Sequence, residues 1–124
     1  MKNVDTVMKE VTDELHAELD GSPEVFVAAG YIREACTVAA RTVTRTMLPN
    51  MAHEYLEDDL MECKARVLEM LRAMFEVVAE DKRLATVLIF ANAVSKAAFK
   101  AGSGSKDYRT GVWAAIITKL CSSL

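Results

Sequence analysis

A chain of 124 residues with 52% apolar and 27% charged residues makes one globular domain, too apolar for disorder and too charged for a fibre. Its formal net charge is −3 and its basic and acidic residues interleave, which excludes the basic stripe of a nucleic-acid binder. Only two prolines and five glycines occur, so long helices can run unbroken, and nothing reads as a strand.

Val4, Val7, Met8, Val11, Leu15 and Leu19 recur at helical spacing and predict a first helix over about Val4–Leu19. Gly21-Ser22-Pro23 ends it and opens the next, since Gly suits a helix end and Pro a first turn. A second helix, about Glu24 to Leu48, carries Val25, Phe26, Ala29, Ile32, Ala35, Cys36, Ala39, Ala40, Val43 and Met47 on its apolar side. Pro49 breaks it. The stretch Asn50–Asp81 is mostly helical, with the acidic run Glu54–Asp59 as a solvated face. A stretch of more than about thirty residues is long for one helix, so a break is expected near Asp58–Glu62.

The pattern resets at Glu80-Asp81-Lys82-Arg83. Leu84–Lys100 is apolar nearly all round, as a buried central helix would be. Ala101-Gly102-Ser103-Gly104-Ser105 reads as a loop, and Tyr108–Leu124 as a last helix with Val112, Trp113, Ile116, Ile117 and Leu120 on one face. The expected architecture is all-α: one domain over residues 1–124, with a central apolar helix at about Arg83–Lys100 surrounded by amphipathic ones.

No charged leader precedes an apolar run, and the strongly apolar stretches Leu84–Val94 and Gly111–Ile117 fall short of the roughly 20 residues of a membrane span. A soluble chain is therefore expected. Cys36, Cys63 and Cys121 are odd in number and form no C-x-x-C pair, which predicts free buried thiols in a reducing compartment. Asp13 and His16 share a helix face, but the repeated Glu-x-x-His of a di-iron bundle is absent, and so are Gly-rich phosphate loops and nucleophile elbows. The expectation is no enzyme, no metal and no cofactor.

Two features point to binding. Met70 and Met74 lie beside Leu71 and Phe75, and methionine fills irregular cores but also lines grooves that accept varied helices. Arg83 opens the apolar helix, where an arginine either reaches water or meets a carboxylate.

Arg83 followed by Leu84-Ala85-Thr86-Val87-Leu88-Ile89-Phe90 resembles the first homology region of the Bcl-2 family, where an arginine opens the buried central helix. Leu71, Met74 and Phe75 fall on the apolar residues that precede it there, and Arg109-Thr110-Gly111-Val112-Trp113-Ala114 is similar to the sixth family helix. Phe26 with Ala28-Ala29-Gly30 resembles the third homology motif, and Val7-Met8-Lys9 with Val11 and Leu15 the fourth. The chain departs from the family at Glu80-Asp81-Lys82, which replaces Asn-Trp-Gly, at Tyr31, which stands where the third motif is acidic, and in the longer Leu48–Arg66 stretch.

The resemblance implies a minimised pro-survival homologue of a large DNA virus, acting in the host cytoplasm with mitochondrial association. Such a protein inhibits apoptosis by holding BH3 helices of Bim-like and Bak/Bax-like proteins in an apolar groove. It assigns Arg83 to the partner's aspartate, Met70, Met74 and Phe90 to the floor, Thr37 and Ala40 to the helix-two wall, and Thr86 to a place beside Arg83. With Tyr31 at the acidic position, the chain suits receiving a helix rather than donating one. Glu80 and Asp81 beside Arg83 imply a narrow subset of partners, and an open groove also suits a homodimer. Two alternatives stand: a viral Bcl-2-fold protein directed at an immune signalling adaptor, and an unrelated helical-bundle interaction protein.

Overall fold

A computed structural model describes the backbone of residues 2–46 and 53–101 and the side chains of 3–45 and 58–101. The break at Pro49, the loop at 102–105, the helix expected over 108–124 and Cys121 lie outside the described residues. Among the described residues the chain forms α1 (Lys2–Glu18), α2 (Glu24–Thr46), α3 (His53–Val77), a single 3-10 turn (Glu80–Lys82) and α4 (Arg83–Ala101).

α1 buries Val4, Val7, Met8, Val11, Leu15 and Leu19, the residues whose spacing predicts it. Its end closes with a 6→1 bond of the Schellman type, the Gly21 amide donating to the His16 carbonyl at 3.0 Å, and a turn follows in which the Ser22 amide donates to the Leu19 carbonyl at 3.0 Å. The left-handed positions are Asp20 (φ 52°) and Gly21 (φ 68°), so the aspartate takes the place that glycine most often fills. Pro23 then enters α2, and the Ser22 hydroxyl and the residue's own amide hold the Glu24 carboxyl below its usual range.

Among the described residues α2 makes the broadest contacts. It packs broadly on α3 and α4 and also meets α1. Ala28, Ala35, Cys36, Ala39 and Ala40 are fully buried along it, and small side chains let three neighbours approach closely. Phe26, expected on its apolar side, is instead 69% exposed and stands edge-on to the His16 ring, with 5.8 Å between centroids. It sits one residue from the fully buried Val25, turned away from the core.

α3 runs without a break through Asp58–Glu62, contrary to the expected interruption. Its inward residues Leu60, Cys63, Val67, Leu71, Met74 and Val78 keep a spacing of three and four throughout, and neither Gly nor Pro intervenes. The acidic stretch does not lie wholly in solvent either. The Asp59 side chain is only 14% exposed, and its Oδ2 lies 3.3 Å from Arg45 Nη2.

α4 buries Thr86, Ile89, Phe90, Ala93, Val94, Ala97 and Ala98. Leu84, Leu88 and Phe99 remain exposed, so α4 has one bare side among the described residues. By length and composition alone Glu80–Ala101 is apolar enough to cross a bilayer, a longer stretch than the sequence count gives; a helix that fills a bundle core has the same composition. Exposed contacts fix its direction against α1: Lys96 Nζ pairs with Glu10 at 3.1 Å, and Asn3 donates to the Lys100 carbonyl at 3.2 Å. α2 is tied to α1 by Arg33–Asp5 at 2.7 Å and to α3 by Arg66–Glu34 at 2.9 Å.

Candidate functional site

α3 and α4 both pack on α2 but touch each other little. Met70, Phe75 and Val77 of α3 and Val87 and Ala91 of α4 are apolar residues only half-buried against the core. The expected groove residues all fall on these three helices. Thr37 and Ala40 lie on α2, Met70 and Met74 on α3, and Arg83, Thr86 and Phe90 on α4.

Their depth differs from a lined, open groove. Met74, Phe90 and Ala40 are fully buried and contribute to the core, while Met70 and Thr37 are half-buried. The Thr86 side chain is buried too, and its hydroxyl lies 3.0 Å from both the Lys82 and Arg83 carbonyls. A threonine bonded back to its own helix in this way is satisfied where it stands.

Arg83 is exposed at the first residue of α4. Its guanidinium lies 5.7 Å from the centroid of the Phe75 ring, and Nη2 donates to the Phe75 carbonyl at 3.4 Å. Both contacts are weak: the bond is long, and a cation over an exposed ring contributes only about 0.5–1 kcal/mol. Among the described residues no carboxylate forms an ion pair with Arg83, although Glu80 and Asp81 are three and two positions away. Phe75 as the resting place of Arg83 is not legible in the sequence, because the eight-residue separation crosses a helix end and a turn.

Among the described residues, two clefts stand apart from the expected groove residues. One, of about 140 Å³, lies between α2 and α3 and is lined by Arg41, Arg45, Thr42, Asp59, Cys63 and Arg66 among others. The other, of about 530 Å³, lies between the α1–α2 turn and the end of α3, with Asp20, Glu24, Glu76, Asp81 and Lys82 on its walls. Neither includes an expected groove residue. Burial pushes the Cys36 thiol up to about 12 and raises that of Cys63 as well, so both are poor nucleophiles. Among the described residues no three His, Cys, Asp or Glu side chains gather as metal ligands.

The fold defines the class: among the described residues the chain is an all-α helical bundle. No protein-family model, no curated protein and no solved structure matches the chain.

Proposed function

We propose that this chain is a helix-capturing interaction protein, and in its narrower form an inhibitor of apoptosis that sequesters BH3 helices of pro-apoptotic proteins. The observation that carries the reading is Arg83, exposed at the start of α4 and resting, among the described residues, on Phe75. In this reading an incoming helix lays its apolar face in a furrow between α3 and α4, on Phe75, Val87 and Ala91, and its carboxylate draws the guanidinium off Phe75. A two-pronged Arg–carboxylate pair is stronger than the single long bond to a carbonyl that it replaces. α3 is the wall that can give way, because it meets α4 sparsely. The sequence resemblance supports BH3 helices as the partner, acting in the host cytoplasm near mitochondria.

A second reading rests on depth. Met74, Phe90 and Ala40 are fully buried, which leaves the furrow shallow and favours a broader partner surface, such as an immune signalling adaptor. Calorimetric titration against a panel of BH3 peptides separates the two. Nanomolar binding of at least one peptide, about −12 kcal/mol, weakened by roughly 2–5 kcal/mol in Arg83→Ala, is the expected result. A folded sample that binds none of them removes the BH3 reading and leaves the adaptor reading in place.

A further inference from the structure

The cleft between α2 and α3 gathers three arginines. Arg41 and Arg45 stand one turn apart on α2 and Arg66 comes from α3, and all three line one space of about 140 Å³. Like charges one turn apart on a helix repel, so such a cluster costs stability unless anions offset it. Two of the three have a carboxylate. Arg45 Nη2 lies 3.3 Å from Asp59, and Arg66 Nη2 lies 2.9 Å from Glu34. Arg41 is exposed and, among the described residues, forms no ion pair. Glu62 also lines the cleft, is exposed and pairs with none of the three.

The two pairs differ in how readily they part. The Asp59 side chain is only 14% exposed, and its Oδ2 is shut off from solvent, within ion-pair distance of Arg45 but without hydrogen-bond geometry. Releasing Arg45 would strand a buried carboxylate, so Arg45 stays. Glu34 and Arg66 are both about half exposed, and a pair so open to water holds weakly. Arg66 can therefore turn from Glu34 to another anion and leave no buried charge behind. The buried lining adds little to the donors on offer, because the Thr42 hydroxyl already donates to the Val38 carbonyl at 2.8 Å.

We propose that this cleft seats the phosphate group of a small soluble phosphomonoester, held by Arg41 and Arg66, with Arg45 fixed beside it by Asp59. A phosphomonoester carries about −1.5 to −2 charges at neutral pH and three acceptor oxygens, which suits several guanidinium forks at once. A carboxylate has two oxygens and is satisfied by a single fork. Asp59 neutralises Arg45, so Arg41 and Arg66 remain to balance the dianion. The cleft, about 140 Å³, lies well below the roughly 300–1,000 Å³ of pockets that enclose a whole ligand. It admits the phosphate and leaves what carries it in solvent. A net charge of −3 disfavours approach to an anionic membrane, which points to a soluble source. The cleft includes no expected groove residue, so this inference stands apart from helix capture.

The test is calorimetric titration of the full chain with inorganic phosphate and with O-phosphoserine at low ionic strength, each variant checked by circular dichroism. Saturable binding of both at one site is the expected result. Arg41→Ala and Arg66→Ala should each weaken it about tenfold, the scale of one lost charge-assisted hydrogen bond. Arg72→Ala, exposed on α3 outside the cleft, should stay within about twofold, because a distant exposed charge is screened. Glu34→Gln should tighten binding severalfold by freeing Arg66. Three outcomes would overturn the proposal: no saturable binding by a folded sample at millimolar phosphate; a loss in Arg72→Ala as large as in Arg41→Ala, which assigns the effect to the diffuse field of the protein; and binding seen only with phosphatidylcholine vesicles that carry a phosphoinositide, which assigns the arginines to a membrane surface.

Discussion

Among the described residues α2 and α4 differ in how much of each is covered. α4 is the more continuously apolar of the two, yet Leu84, Leu88 and Phe99 stand out of the described core. α2 carries Arg33, Glu34, Arg41 and Arg45 on its outer side, yet among the described residues it makes the broadest contacts, chiefly with α3 and α4. The difference is side-chain size. The buried line of α2 is largely alanine and cysteine, and a thin helix surface can be approached from several directions at once. The inner line of α4 holds the fully buried Phe90, which fills one interface and leaves the opposite side to whatever covers it. Apolar content says that a helix must be covered; the width of its side chains says how many neighbours can do it.

Substitutions that reverse these sizes test the comparison. The largest effect is expected for Phe90→Ala, which empties the α4–α2 interface and should cost about 3–5 kcal/mol in chemical denaturation. Met61→Ala, on a side chain 62% exposed, should stay within about 0.5 kcal/mol. Equal losses at the two positions would mean that Phe90 is not the anchor of α4. Next comes Ala39→Leu, which thickens α2 where it is thinnest and should destabilise by about 1–3 kcal/mol through overpacking. A neutral result there would show that α2 has room to spare and that its small residues do not set the packing.

The smallest effect is a pH slope. An unfolded cysteine ionises at about pH 8.5, whereas burial holds the Cys36 thiol protonated up to about 12. Between those values the unfolded state binds fewer protons, so stability falls as pH rises. The contribution is full below the unfolded value and should shrink by about 1 kcal/mol over the first pH unit above it. Urea midpoints read across mildly alkaline pH should show this decline, and Cys36→Ala should flatten most of it. A variant with the parent's full slope would assign the effect to other groups.

Much of the fold is legible from spacing. The apolar residues of α1 predict its extent to within about two residues, the usual uncertainty of a helix end. Ser22 and Pro23 mark the start of α2 correctly, because capping and proline geometry act through neighbours in sequence. Length misleads at α3, where a stretch that looks too long for one helix continues because its three-and-four spacing never shifts. The acidic run misleads at Asp59, whose burial depends on Arg45 arriving from another helix. The candidate site was half visible. The sequence places Arg83 at a helix start and Met70 near it, but the placement of Met74 and Phe90 in the core depends on how closely α3 and α4 settle on α2.

By itself the sequence determined that the chain is helical, where α1 and α2 meet and which face of each helix seeks cover, because periodicity, caps and turns are properties of residues a few positions apart. Tertiary structure alone decided that, among the described residues, α2 makes the broadest contacts, that Arg83 rests on Phe75, and that Leu84, Leu88 and Phe99 of α4 stand out of the core. Those outcomes come from side chains of distant segments competing for the same space, and no local pattern records which of them wins.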